Sequence, residues 1–252
     1  MQFSKSDLKY FIDNIYNEKL FVPGSMGAVD MFTLHYALKV LEPDVVIESG
    51  VWHGASTELI RKTIGENAKI ISLDPMEIPE AGWKDNNKNT VYHTGNNFID
   101  FKNLDLSEYN SKKIFVFFDD HQNMVERLKQ SKKKNIKHIL YNDNYPQYCG
   151  SHFTIEHLLH NDFRNINTNA KQIVNINKSA NLMTEYKNNK NEFLSWLENY
   201  HIFPNIFPCK IKTGEGIFDC KSFFEDDSES KTFYLFKQHS SKYRWNTYIK
   251  IK

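Results

Sequence analysis

The stretch from Asp44 to Asp74, DVVIESGVWHGASTELIRKTIGENAKIISLD, limits what this chain can fold into more than any other. An apolar run, Val45-Val46-Ile47, breaks at Glu48-Ser49-Gly50, passes through Gly54-Ala55-Ser56 and then has the pattern of a helix to about Ile64. A second apolar run, Ile70-Ile71-Ser72-Leu73, ends in Asp74. Strand, glycine turn, helix and acid-tipped strand make one βαβ unit, whose ligand-facing residues lie at the carboxyl ends of its strands.

The glycine spacing is ExGxxxG. It lacks the close first pair of GxGxxG, which packs backbone against a pyrophosphate at a helix N-terminus, so a dinucleotide is not favoured. Glu48 instead puts a carboxylate at the first strand tip, Gly50 lets a ligand approach without meeting a Cβ, and Asp74 can accept both hydroxyls of a ribose. A ligand with an ammonium group, a ribose and no phosphate fits that set, and S-adenosylmethionine is one. The segment resembles the cofactor-binding motifs of class I S-adenosylmethionine-dependent methyltransferases. That resemblance implies cofactor-binding roles for Glu48, Ser49, Gly50, Gly54, Ser56 and Asp74. A structural βαβ unit in another α/β protein is the plainer reading of the same residues.

The resemblance also implies the fold: Rossmann-like α/β, a mostly parallel seven-stranded sheet closed by an antiparallel C-terminal hairpin. The rest of the chain can be placed on it. Residues 1–43 form N-terminal helices, one over 5–20 and one over about Asp30 to Leu41, with the loop 24–27 either a lid over the cofactor or a plain turn. Residues 44–146 form the cofactor-binding core. Within it Thr90 to His93 is a short strand ending at Gly95-Asn96-Asn97, where Asn97 or Asn96 could bond an adenine edge. Ile114 to Phe118, an unalternating apolar run, has the pattern of a central strand buried on both faces, followed by a helix from Met124 to Lys133. Ile139 to Tyr141 is a fifth strand that stops before Pro146. Residues 147–230 lose the alternation and read as an insertion forming the acceptor site, with helical pieces at Phe153 to His160 and Glu192 to Asn199. In 231–252, Thr232 to Phe236 and Thr247 to Ile251 read as the closing hairpin.

Lys plus Arg is 32 against 31 for Asp plus Glu, so no field of one sign is available to gather nucleic acid. The three cysteines show no CxxC pairing, which points to a reduced cytosolic compartment without structural disulfides or a zinc ribbon. The N-terminus alternates charge with apolar residues, unlike a signal peptide or a membrane span. A homo-oligomer is left open.

Two strand tips carry acids: Asp119-Asp120-His121 after the fourth strand, and Asp143-Asn144 after the fifth. Gathering carboxylates without a cation is costly, and oxygen donors of this kind suit Mg²⁺, Ca²⁺ or Mn²⁺. The arrangement is similar to metal-dependent O-methyltransferases, which implies Asp119, Asp143 and Asn144 as ligands of Mg²⁺ or Mn²⁺, with Asp120 or His121 as a further candidate, and Asp119 beside the cofactor. Sugar methyltransferases carry Asp-x-Asp at the fourth tip with the second acid as base; here His121 stands in that place. An imidazole of ordinary pKa about 6.5 can serve as general base, or can itself ligate the ion. Helix capping accounts for one of the acids after the fourth strand. His157 and His160 form a weaker i, i+3 pair, and the aromatic cluster around Trp196 is expected in the core.

The expectation is a methyl transfer from S-adenosylmethionine to a hydroxyl of a small molecule, with His121 as base. The His- and Asn-rich insertion and the likeness of the strand-tip motifs point to a sugar or nucleotide-linked sugar, for a surface polysaccharide or glycosylated natural product. Another small hydroxylated acceptor is the alternative. From other classes, an NAD-dependent oxidoreductase and a non-catalytic binding protein are the rivals.

Overall fold

Every residue of Val45–Ser49 (β1) is buried, as are all but the first residues of Lys69–Asp74 (β2), Ile114–Phe118 (β4) and His138–Tyr141 (β5). Strands buried on both faces need continuous apolar side chains, and these are the unalternating runs of the sequence. The computed structural model of the protein describes residues 1–16, 26–147, 149–163, 176–207, 209–213, 216–220, 223, 236 and 245–252. With Thr90–Thr94 (β3), Leu197–Ile202 (β6) and Thr247–Ile251 (β9), the strands form one seven-stranded sheet of order β3-β2-β1-β4-β5-β9-β6. The first five run parallel, while β9 lies antiparallel between β5 and β6. The expected Rossmann-like architecture is present. Cys209–Thr213 (β7) and Gly216–Cys220 (β8) pair as a separate antiparallel ribbon.

Helices cover both faces, and the strands divide their side chains between them. Val46, Ile70, Phe115, Phe117, Leu140 and Tyr248 pack under Lys5–Asn14 (α1), Ala28–Leu41 (α2) and Ala55–Ile64 (α3). Their neighbours Val45, Ile47, Ile71, Val116, Ile139 and Ile249 pack under Met124–Lys133 (α4), Ile155–Leu159 (α5) and Ile176–Ser195 (α6). α2 is buried along nearly its whole length, because α1 lies over it and α3 beside it.

The closing antiparallel pair differs from the expectation in one strand. Ile251 lies in β9 as read, but its hairpin partner was placed at Thr232 to Phe236; of those residues only Phe236 is described, and it is buried. The strand beside β9 is β6, from the stretch set apart as an insertion. The helix expected over Glu192 to Asn199 accordingly ends at Ser195. β6 is an edge strand with a register shift between Leu197 and Asn199 and exposed Glu198 and Asn199, so it lacks the apolar run that marks an inner strand. At the other end, α1 stops at Asn14; residues 17–25, including half of the 24–27 loop, lie outside the described residues. No described helix is long and apolar enough to cross a membrane. Cys149 is a free thiol.

Candidate active site

The glycine loop between β1 and α3 is fixed by its own surroundings. Gly50 has φ 98°, donates its amide to Leu73 O at 2.9 Å, and a Cβ there would stand 2.4 Å from Asp119 O. Gly54 has φ 80°, and its Cβ would stand 2.0 Å from Trp83 O. Only glycine fits either position. Asp74 pins the loop from the next strand: its Oδ2 accepts the amides of Val51 (2.8 Å) and Trp52 (3.0 Å), and its Oδ1 accepts Met76 N (2.8 Å). A carboxylate offers about four acceptor sites, so one remains for a ligand hydroxyl. Asp74 therefore holds the loop and keeps acceptor capacity toward the cavity that it lines.

Glu48 does not reach the cavity. It is fully buried beneath the loop, where Thr57 Oγ1 (2.7 Å) and Ser72 Oγ (2.8 Å) donate to its Oε2, and burial pushes its carboxyl pKa up. In this position Glu48 supports the loop from below through Oε2, while its Oε1 is buried without a hydrogen-bond partner. Gly54, likewise, serves the backbone and is not in the cavity wall.

A cavity of about 590 Å³ opens over this loop at the carboxyl ends of the strands. Ser49, Gly50, Ser56, Asp74 and Asp119, all singled out from the sequence, line it; Asn97 is exposed outside it, and Phe98 takes the wall position instead. Trp52, Met76 and Phe98 are three of the few large apolar side chains that remain exposed, and all three border this cavity. The polar wall is acidic: Asp74, Asp100, Asp119 and Asp120 face a single guanidinium, Arg127. That guanidinium is already committed, lying 2.7 Å from Asp120 and 3.2 Å from Asp100. Such a wall suits a cationic ligand and offers no uncommitted side-chain cation to a pyrophosphate.

At the far side of the cavity the tips of β4 and β5 meet. Asp119, His121 and Asp143 each present one ligand atom, and all three atoms lie within 4.8 Å of one another. His121 Nε2 is 3.0 Å from Asp143 Oδ2. Both residues hold left-handed backbone, φ 51° and 59°, a conformation that is uncommon outside glycine and gathers at functional sites.

Two of the predicted ligands are absent from this cluster. Asn144 is saturated: its Nδ2 donates to Tyr200 Oη and Thr247 Oγ1 (both 2.8 Å), and its Oδ1 accepts the amides of Ile155 (3.1 Å) and Glu156 (3.2 Å). It caps α5 and ties that helix to β6 and β9. Asp120 turns away to Ser49 Oγ (2.7 Å) and Arg127.

The asparagine that stands beside Asp119 is Asn142. It follows Tyr141 as Asp119 follows Phe118, and those two residues are partners in the β4–β5 ladder. Asn142 donates Nδ2 to Asp119 Oδ1 at 2.7 Å, while its own Oδ1 is buried without a hydrogen-bond partner. Counting both strands from their last apolar residue finds it. Beside it His152 Nε2 is also buried and unpartnered, and burial, followed by the charge of His121, holds that imidazole down to about 4. An orphaned buried oxygen next to two carboxylates and an imidazole is what a divalent cation site requires. In the sequence His152 stands with His157 and His160 in a group that is more often structural than ligating, and nothing local marks Arg127. The His157/His160 pair is structural: His157 is spent on Thr154 N and the carbonyls of Pro146 and Cys149, while His160 faces Glu156.

No protein-family model matches the chain, and no curated protein matches it. Among solved structures it is similar to the O-methyltransferase TomG from Streptomyces achromogenes, solved with S-adenosylmethionine, at 10% identity and TM-score 0.47, covering 100% of this chain and 91% of that one. It is similar to a putative O-methyltransferase from Klebsiella pneumoniae at 8% identity and TM-score 0.44, covering 100% and 92%. An O-methyltransferase from Bacillus cereus in complex with S-adenosylhomocysteine is similar at 11% identity and TM-score 0.44, covering 98% and 91%.

Proposed function

We propose that the protein transfers a methyl group from S-adenosylmethionine to a hydroxyl of a small molecule, with a divalent ion at the β4–β5 tips. The observation that carries this reading is the acid-walled cavity, with its one guanidinium already paired, opening directly onto the Asp119–His121–Asp143 cluster. S-adenosylmethionine is cationic at sulfur and carries an ammonium and a ribose but no phosphate. An NAD-dependent oxidoreductase would need donors for a pyrophosphate, and this wall supplies carboxylates where they would stand.

In this reading the Gly50–Trp52 backbone, held by Asp74, forms the floor under the cofactor, and the remaining acceptor site of Asp74 takes one ribose hydroxyl. Trp52, Met76 and Phe98 keep water from its flat, apolar part. Asp119, Asp143 and the free oxygen of Asn142 would hold Mg²⁺ or Mn²⁺, which when bound lowers a hydroxyl's pKa and fixes its direction. The acceptor we propose is a sugar or nucleotide-linked sugar, on the polar, Asn- and His-rich composition of residues 147–230, with the cytosol as its place of action.

A second reading keeps His121 as the general base. Its favouring observation is that the side chain is 55% exposed at the mouth while its Nε2 rests on Asp143, a carboxylate able to orient an imidazole and stabilise its charged form. Calorimetric titration with S-adenosylhomocysteine, with Mg²⁺ and again with EDTA, tests the main reading. Micromolar binding is expected, followed by turnover in a screen of sugar acceptors. Absence of binding under both conditions would overturn it and bring back the oxidoreductase and the non-catalytic binder.

A further inference from the structure

We propose that His121 is itself a ligand of the ion, and that the site therefore prefers a transition ion such as Mn²⁺, Fe²⁺ or Zn²⁺ to Mg²⁺. The inference deepens the function proposed above at the same site. Its test uses neither methyl donor nor acceptor, so either reading can fail while the other stands.

The first argument is position. His121 Nε2 lies 3.0 Å from Asp143 Oδ2, and one atom each of Asp119, His121 and Asp143 falls inside a single 4.8 Å group, so the imidazole stands among the candidate ligand atoms themselves. The carboxylate it meets is only 3% exposed, which sets the contact apart from a plain surface ion pair.

The second argument is what surrounds the cluster. Asn142, itself 6% exposed, holds an oxygen with no partner, and His152, 8% exposed, holds a nitrogen with none. The His121 and His152 rings are 5.9 Å apart between centroids. These two atoms, unlike the other buried atoms without partners, stand next to a ligand group, where an ion and its water would supply what they lack. An ion accepts the Asn142 oxygen directly, and a water on that ion satisfies His152.

The third argument is donor chemistry. Mg²⁺ demands near-ideal octahedral oxygen coordination and gives up its waters reluctantly. Exchanging one oxygen donor for imidazole moves a site toward Zn²⁺, Fe²⁺ and Mn²⁺. The backbone supports this placement. His121 and Asp143 both sit in left-handed conformation, φ 51° and 59°, and their side chains meet at 3.0 Å.

The test uses the full chain, stripped with chelator. Mn²⁺ is added and pulsed EPR records whether a ¹⁴N nucleus couples to the ion; calorimetry compares Zn²⁺ with Mg²⁺. The variant is His121→Asn, since Asn tolerates φ near 51° and replaces nitrogen by an amide oxygen. His121→Gly, at ease in the same backbone, stands in if the first variant fails to fold. We expect nitrogen coupling in the wild type, its loss in the variant, and a fall of about tenfold or more in the Zn²⁺ over Mg²⁺ preference. His152→Gln should leave the coupling in place. Mn²⁺ bound without nitrogen coupling, or coupling lost in His152→Gln and retained in His121→Asn, would overturn the proposal.

Discussion

The two halves of the cavity use their acids differently. On the β1–β2 side Asp74 takes three amides, Glu48 takes two hydroxyls on Oε2 and keeps Oε1 without a partner, and Gly50 and Gly54 are dictated by backbone contacts. On the β4–β5 side Asp119, His121 and Asp143 bring three ligand atoms within 4.8 Å of one another, next to an Asn142 side chain whose oxygen has no partner. The first half spends its acids on shaping a backbone seat; the second gathers donor atoms at one point. Both halves are lined with acids and look alike by charge.

Breaking the seat should cost the fold. Gly54→Ala places a Cβ against Trp83 O and asks alanine to hold φ 80°, so we expect a loss of about 4 kcal/mol in chemical denaturation, with cofactor affinity lost alongside. The two asparagines sharpen the contrast, since they stand two residues apart with opposite duties. Asn144→Ala removes four hydrogen bonds from a buried site and should cost about 3 kcal/mol of stability with metal affinity unchanged per folded molecule; Asn142→Ala should leave stability within about 1 kcal/mol and weaken metal binding about tenfold. Stability curves and metal titrations of the pair read both effects. Asp143→Asn should lower methyl transfer about 100-fold while the melting temperature hardly moves, because asparagine holds φ 59° and only the charge of the carboxylate is lost. Unchanged turnover there would erase the distinction between the two halves.

A group far from both gives the baseline. His35, on α2 between the Tyr10 and Phe11 rings, is held down to about 4, first by burial and then by Lys39. The unfolded chain takes up that proton near pH 6.5 and the folded chain does not, so the contribution is full above pH 6.5 and lost as pH falls toward 4. His35→Gln should flatten the stability profile in that window by about 2 kcal/mol, without affecting metal or cofactor binding.

The legible parts were those fixed by local rules. β1, α3, β2, β4, α4 and β5 follow from apolar runs, turn residues and a capping asparagine, Asn123, whose side chain accepts from Val125 N and Glu126 N. β6 was misread because an edge strand needs no continuous apolar pattern, and its neighbour β9 lies about fifty residues away in sequence. At the site, Asp119, His121 and Asp143 were found because acids at strand tips are conspicuous. Asn142 escaped notice because its place beside Asp119 follows from the Phe118–Tyr141 pairing of β4 with β5, and a pairing between strands is not written in consecutive residues.

The sequence by itself determined the βαβ frame, the glycine loop and the acids at the tips of β4 and β5, since period, turn chemistry and strand ends are properties of consecutive residues. Only the tertiary structure decided which polar groups are spent and which are left over. Asp120 is claimed by Arg127 and Asn144 by α5, β6 and β9, whereas Asn142 Oδ1 and His152 Nε2 find no hydrogen-bond partner among the described residues. Hydrogen-bond saturation depends on which distant segments arrive at a side chain, and no count along the chain contains that information.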